Sequence, residues 1–134
     1  MFVDVVGERR SLLLDCGDLG TLEPAELLRV TDCFVSHAHL DHFYGFDRLL
    51  RTNIGTVRRI RVYGPEGIID RVGGRLSGYH WNLYDEPGLE FEVIEVSAER
   101  FLGQTFQVRD QFRPAGPPVE LRWRRRLLDD DAVA

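Results

Sequence analysis

The chain has 134 residues, enough for one domain with its own core, and its 17 basic against 22 acidic residues give a net charge of −5 and no global attraction to nucleic acid. Every basic side chain is arginine, which reads as a bias toward GC-rich codons and not as chemistry. No apolar run is long enough to span a bilayer and no signal peptide is visible, so the expected compartment is the cytoplasm, without a membrane partner.

Taken in order, Phe2–Val6 and Ser11–Asp15 are apolar and β-branched around Gly7-Glu8-Arg9-Arg10, which is a hairpin pattern. Asp15 ends the second strand. It can either orient a neighbouring ligand or cap local backbone donors in the turn at Gly17. Residues 22–29 read as a short helix, with Pro24 in its first turn, and 31–36 as a strand through Cys33-Phe34-Val35. Cys16 and Cys33 lack a Cys-x-x-Cys partner and read as reduced core thiols.

The stretch Ser36-His37-Ala38-His39-Leu40-Asp41-His42 holds three of the four histidines. Imidazole and carboxylate are the donor types that suit zinc and related divalent ions. On a helix, residues i and i+2 diverge, whereas in an extended segment they point the same way, so His37 and His39 can converge at a strand end. A turn at Asp41 would let that carboxylate and His42 face a second ion. Phe43, Phe46, Leu49 and Leu50 then recur at helical spacing and are expected to be core.

Ile60-Arg61-Val62-Tyr63 predicts another strand, closed by Gly64-Pro65. A helix follows with Ile68, Ile69, Val72 and Leu76 on one face. Its Gly73-Gly74 pair costs about 1–2 kcal/mol relative to alanine, so a close backbone approach or a bend is expected there. His80 has no ligand-type neighbours and reads as a packing or surface residue. From Leu89 the period becomes two, which predicts three strands with one buried face through Phe91, Phe106 and Leu121. The basic, aromatic-bearing run Arg122–Arg126 reads as a solvated strand end, with phosphate contact as the alternative, and 129–134 as an acidic tail after a single partial domain over 1–128.

The His-x-His-x-Asp-His pattern resembles the signature of the metallo-β-lactamase-fold hydrolases. Leu12-Leu13-Leu14-Asp15-Cys16-Gly17, Phe34–His42, Gly45–Arg51 and Val62-Tyr63-Gly64-Pro65-Glu66-Gly67 narrow the resemblance to ribonuclease Z over residues 11–97. The resemblance implies an α/β (α+β) fold, the N-terminal half of an αββα sandwich. It further implies a metal-dependent endoribonuclease that matures tRNA 3′ ends on precursor tRNA. Two zinc ions would be held in an intact member, one by His37 and His39 and the other by Asp41 and His42. Asp41 would also act as general base, with Asp15 orienting a ligand from behind. The family's later histidines and bridging aspartate have no counterpart here, so one weakly held zinc or none is expected. Two other readings stand beside this one. One is a hydrolase of a small ester, lactone, thioester or cyclic nucleotide on the same site. The other is a non-catalytic metal-binding fragment whose open sheet face would favour a homo-oligomer.

Overall fold

The computed structural model describes residues 1–122. The run Trp123–Arg126 and the predicted tail 129–134 lie outside those residues. Seven strands form one sheet in chain order: β1 (Phe2–Val5), β2 (Arg10–Leu14), β3 (Asp32–Phe34), β4 (Arg59–Gly64), β5 (Glu90–Val96), β6 (Phe101–Gln107) and β7 (Val119–Leu121). Strands β2 to β5 are parallel, whereas β1 and the β6–β7 pair run antiparallel at the two ends.

Parallel neighbours need crossovers, and each is helical. Helix α1 (Pro24–Leu27) joins β2 to β3, α2 (Leu40–Phe43) and α3 (Phe46–Asn53) join β3 to β4, and α4 (Ile68–Ser77) joins β4 to β5. All pack on one face. Leu27, Phe46, Leu49, Val72 and Leu76 share a buried cluster with Leu13, Cys33, Val62, Phe91 and Val93 from the strands. Buried Asn53 links α1 to α3, its amide donating to the carbonyls of Leu27 (3.1 Å) and Leu49 (2.9 Å). This is the mixed sheet flanked by helices that the resemblance implied.

Three expectations shift. The helix predicted over 22–29 shortens to one turn. It keeps Pro24 at its start and a capping box in which Glu26 reaches back to the Glu23 N–H at 2.8 Å. The helix expected from Phe43 onward is broken in two at Gly45. The expected single buried face is also incomplete: Val93 and Ile94 are adjacent yet both buried, on opposite sides of β5. The second face carries its own small cluster of Tyr63, Ile94 and Phe101, with Phe34 stacked on Tyr63 at 4.6 Å. Beside it, Arg61 pairs with Glu92 at 3.0 Å, and Arg10 with fully buried Asp32 at 3.1 Å. That face is half apolar and half ion-paired. Among the described residues, no helix is long and apolar enough to cross a membrane.

Candidate metal-binding site

The histidine loop leaves the C-terminal end of β3, beside the end of β2. Asp15, the residue after β2, has φ of 60°, a left-handed conformation that aspartate adopts more readily than most residues. That turn aims its carboxylate across to the loop. Asp15 Oδ1 accepts the Ser36 backbone N–H at 2.7 Å, and the Ser36 hydroxyl lies 2.9 and 3.0 Å from the two Asp15 oxygens. His42 Nδ1 lies 2.9 Å from Asp15 Oδ2. Asp15 thus accepts a backbone N–H from across the β2–β3 pair and contacts a histidine of the loop.

Burial pushes the Asp15 carboxyl upward, but the Ser36 N–H, His42 and the Ser36 hydroxyl outweigh it and hold the group below the usual carboxylate range. An ionised carboxylate only accepts, so Nδ1 of His42 is the donor in its contact with Asp15. The same logic reaches His37. With its proton directed at Asp15, the Ser36 hydroxyl accepts from His37 Nδ1 at 3.0 Å. Ser36 is the residue that motif reading missed. It was visible in the sequence only as the polar residue opening the loop.

The backbone locks this arrangement. Cys16 N–H donates to the His42 carbonyl and Gly45 N–H to the Cys16 carbonyl, both at 2.9 Å. Gly17 and Gly45 are buried against each other and against the loop. A Cβ on Gly17 would lie 2.0 Å from the Asp41 carbonyl oxygen, and one on Gly45 would lie 2.0 Å from that of Gly17. Neither position tolerates a side chain without moving the loop.

Of the predicted residues, His37 is brought to both other imidazoles, with ring centroids 4.5 Å from His39 and 4.0 Å from His42. His39 is exposed and stands at the N-terminus of α2, on which Asp41 and His42 follow. The Asp41 carboxylate lies 3.5 Å from His42 Nε2, with its side chain 80% exposed. His80 lies exposed, outside the cluster. The donor types fit a zinc-class ion. Among the described residues, however, no three His, Cys, Asp or Glu side chains stand arranged to hold an ion.

No family model matches the chain. Curated relatives do. Over 107 residues it is 33% identical to a ribonuclease Z of Deinococcus radiodurans, covering 78% of this chain and 32% of the relative. A ribonuclease BN of Erwinia tasmaniensis is 34% identical over 130 residues, covering 88% and 40% respectively. One from Citrobacter koseri is 35% identical over 101 residues, covering 67% and 30%. The chain thus spans about a third of the length of the curated relatives it matches. Among solved structures, the short form of human tRNase Z aligns at a TM-score of 0.45 with 19% identity, covering 77% of this chain and 49% of that one. A metallo-β-lactamase fold protein of Bacillus subtilis aligns at 0.43 with 15% identity, covering 72% and 46%.

Proposed function

This chain is a partial-length homologue of the ribonuclease Z proteins, and from that premise we propose that it carries one ligand loop of a zinc-dependent phosphodiesterase site acting on precursor tRNA. The single observation supporting the reading is the buttressed histidine loop. Ser36 and Asp15 engage Nδ1 of His37 and of His42 respectively. Such outer hydrogen bonds are what metal-ligating histidines use to fix tautomer and ring orientation.

In this proposal His37, His39, Asp41 and His42 are the residues that would contribute ligands to the ion. A bound zinc supplies Lewis-acid polarisation of a phosphodiester oxygen. Asp41 takes a proton from the attacking water, a role its exposure leaves open to substrate. Asp15 stays ionised and keeps His42 in place. Further ligands on the opposite side would come from outside the described residues or from a second chain.

Zinc content per chain after dialysis, and cleavage of precursor tRNA and of bis(p-nitrophenyl) phosphate, test the proposal together. Expected is zinc retention that the His37→Ala/His39→Ala pair abolishes. Zinc-dependent turnover should also fall on the order of 100-fold in Asp41→Ala. Hydrolysis of a lactone or thioester without either phosphodiester would replace the substrate class. Absence of both zinc and turnover in the wild-type chain would reject the catalytic reading.

A further inference from the structure

We infer that a cleft between α4 and the far half of β6 is a binding site for a nucleobase bearing a phosphate, separate from the histidine loop. The cleft encloses about 930 Å³, within the range of small-molecule sites, and neither Asp15 nor any residue of the 36–42 loop lines it.

Three features of the chain meet there. Gly73 lies inside α4, where glycine is unfavourable. A Cβ at that position would come 3.3 Å from the Phe106 ring, so the glycine lets Phe106 lie against the helix backbone as the cleft floor. Gln111 and Phe112 are consecutive non-glycine residues at φ of 57° and 54°. Such conformations cost about 1–3 kcal/mol each and concentrate at ligand sites. The bend drives Phe112 into the core, where its ring meets the edge of Trp81 at 4.9 Å, and leaves Gln111 and Arg113 lining the cleft. Gln104 is the third feature. It sits on the helix-facing side of β6 opposite Val93, where alternation calls for an apolar residue, and its amide bonds no other described residue.

The lining selects the ligand. Trp81 is fixed by an Nε1 hydrogen bond to the Leu76 carbonyl at 2.6 Å and supplies a rigid ring wall. The Gln104 amide presents a donor and an acceptor, the combination found along a base edge, and Gln111, whose oxygen accepts from Arg113, adds its amide donor. Arg113 is exposed at the opening, braced at 3.1 Å by Gln111, and is placed for a phosphate.

The test needs no metal and is run in EDTA, so it is independent of the phosphodiesterase proposal. Trp81 and Trp123 are the two tryptophans. A Trp123→Phe background makes Trp81 fluorescence the reporter for titration with uridine, UMP, AMP and hexauridylate. Expected is saturation by UMP or AMP at millimolar concentration or below. Gln104→Leu should weaken it by about tenfold, the loss of one buried hydrogen bond. Arg113→Ala should weaken UMP and leave uridine unchanged. Tighter binding of hexauridylate than of UMP identifies a single strand as the source of the base, and equal binding a free nucleotide. No saturation by any probe at about 10 mM, beyond the weakest range expected of a specific site, overturns the proposal, as does binding that Gln104→Leu leaves intact.

Discussion

Three donors depend on one carboxylate at Asp15: the Ser36 N–H, the Ser36 hydroxyl and His42 Nδ1. Asp15→Ala leaves them without their acceptor and places alanine at a φ of 60°. A loss of about 2–3 kcal/mol in urea unfolding is expected. Asp15→Asn keeps the size, tolerates the left-handed backbone and retains an acceptor oxygen, so it should lose less than half as much. If the two variants are equally stable, the carboxylate is not what holds the loop. Cys33 is a second case. Contact with Cys16 first, and burial next, push its thiol well above the ordinary range. The thiol should therefore resist iodoacetamide at pH 8 in the native chain and react in urea. The linkage sign follows from the raised value: the folded state favours the protonated thiol, so its contribution is complete below about pH 8.5 and is lost as the pH rises further. Cys33→Ala should remove that alkaline decline; a decline that persists would assign it elsewhere.

At the scale of elements, the hairpin, the helix-forming stretches and strands β4 and β5 were legible, because alternation and helical spacing are properties of neighbours in sequence. The break between α2 and α3 was not. Phe43, Phe46, Leu49 and Leu50 keep helical spacing across it and all are buried, yet Gly45 interrupts the helix because its backbone lies against Gly17. The cause is a contact 28 positions away, which no local window contains. The histidine loop divides in the same way. Its donors were visible in six residues, whereas the tether from His42 to Asp15 spans 27 positions and needed the β2–β3 pairing. Gly17→Ala tests the tertiary contact directly. With a Cβ 2.0 Å from the Asp41 carbonyl oxygen, the loop must move. The substitution should cost at least about 2 kcal/mol in thermal or urea unfolding. The resonances of His37 and His42 should shift as well. Gly55→Ala, which meets open space, is the control and should fall within about 0.5 kcal/mol. Equal effects at both positions would mean that the loop accommodates a side chain.

The whole molecule is a sheet whose interior is parallel and whose two ends are antiparallel, and that order predicts how its stability is distributed. Strands β3 and β4 are paired on both edges and sealed beneath by α3 and α4, with Cys33, Ile60 and Val62 fully buried. Among the described residues, β1 and β7 pair on one edge only, over four and three residues, and Val119 in β7 is 63% exposed. The ion-paired half of the second face, from Arg10 to Glu92, lies over the parallel strands and adds side-chain ties between β2 and β3 and between β4 and β5. Opening at either end therefore removes few buried contacts, whereas opening the centre exposes the main core and releases the histidine loop at the same time. Native-state hydrogen exchange should report this as a gradient. Amides bonded within the β3–β4 and β4–β5 ladders, those of Val62 and Ile94 among them, should exchange only through global unfolding. Amides of β1 and β7 should exchange through local opening at least 100-fold faster, a difference of about 2.7 kcal/mol. The Ser36 amide is the informative intermediate, because its acceptor is a side chain and not a strand. In Asp15→Ala it should fall to the edge-strand rate while Val62 shifts only by the global loss of stability. A β7 protected as strongly as β4, or a Ser36 amide unmoved by removal of Asp15, would contradict this division between a rigid parallel centre and a site held at its rim.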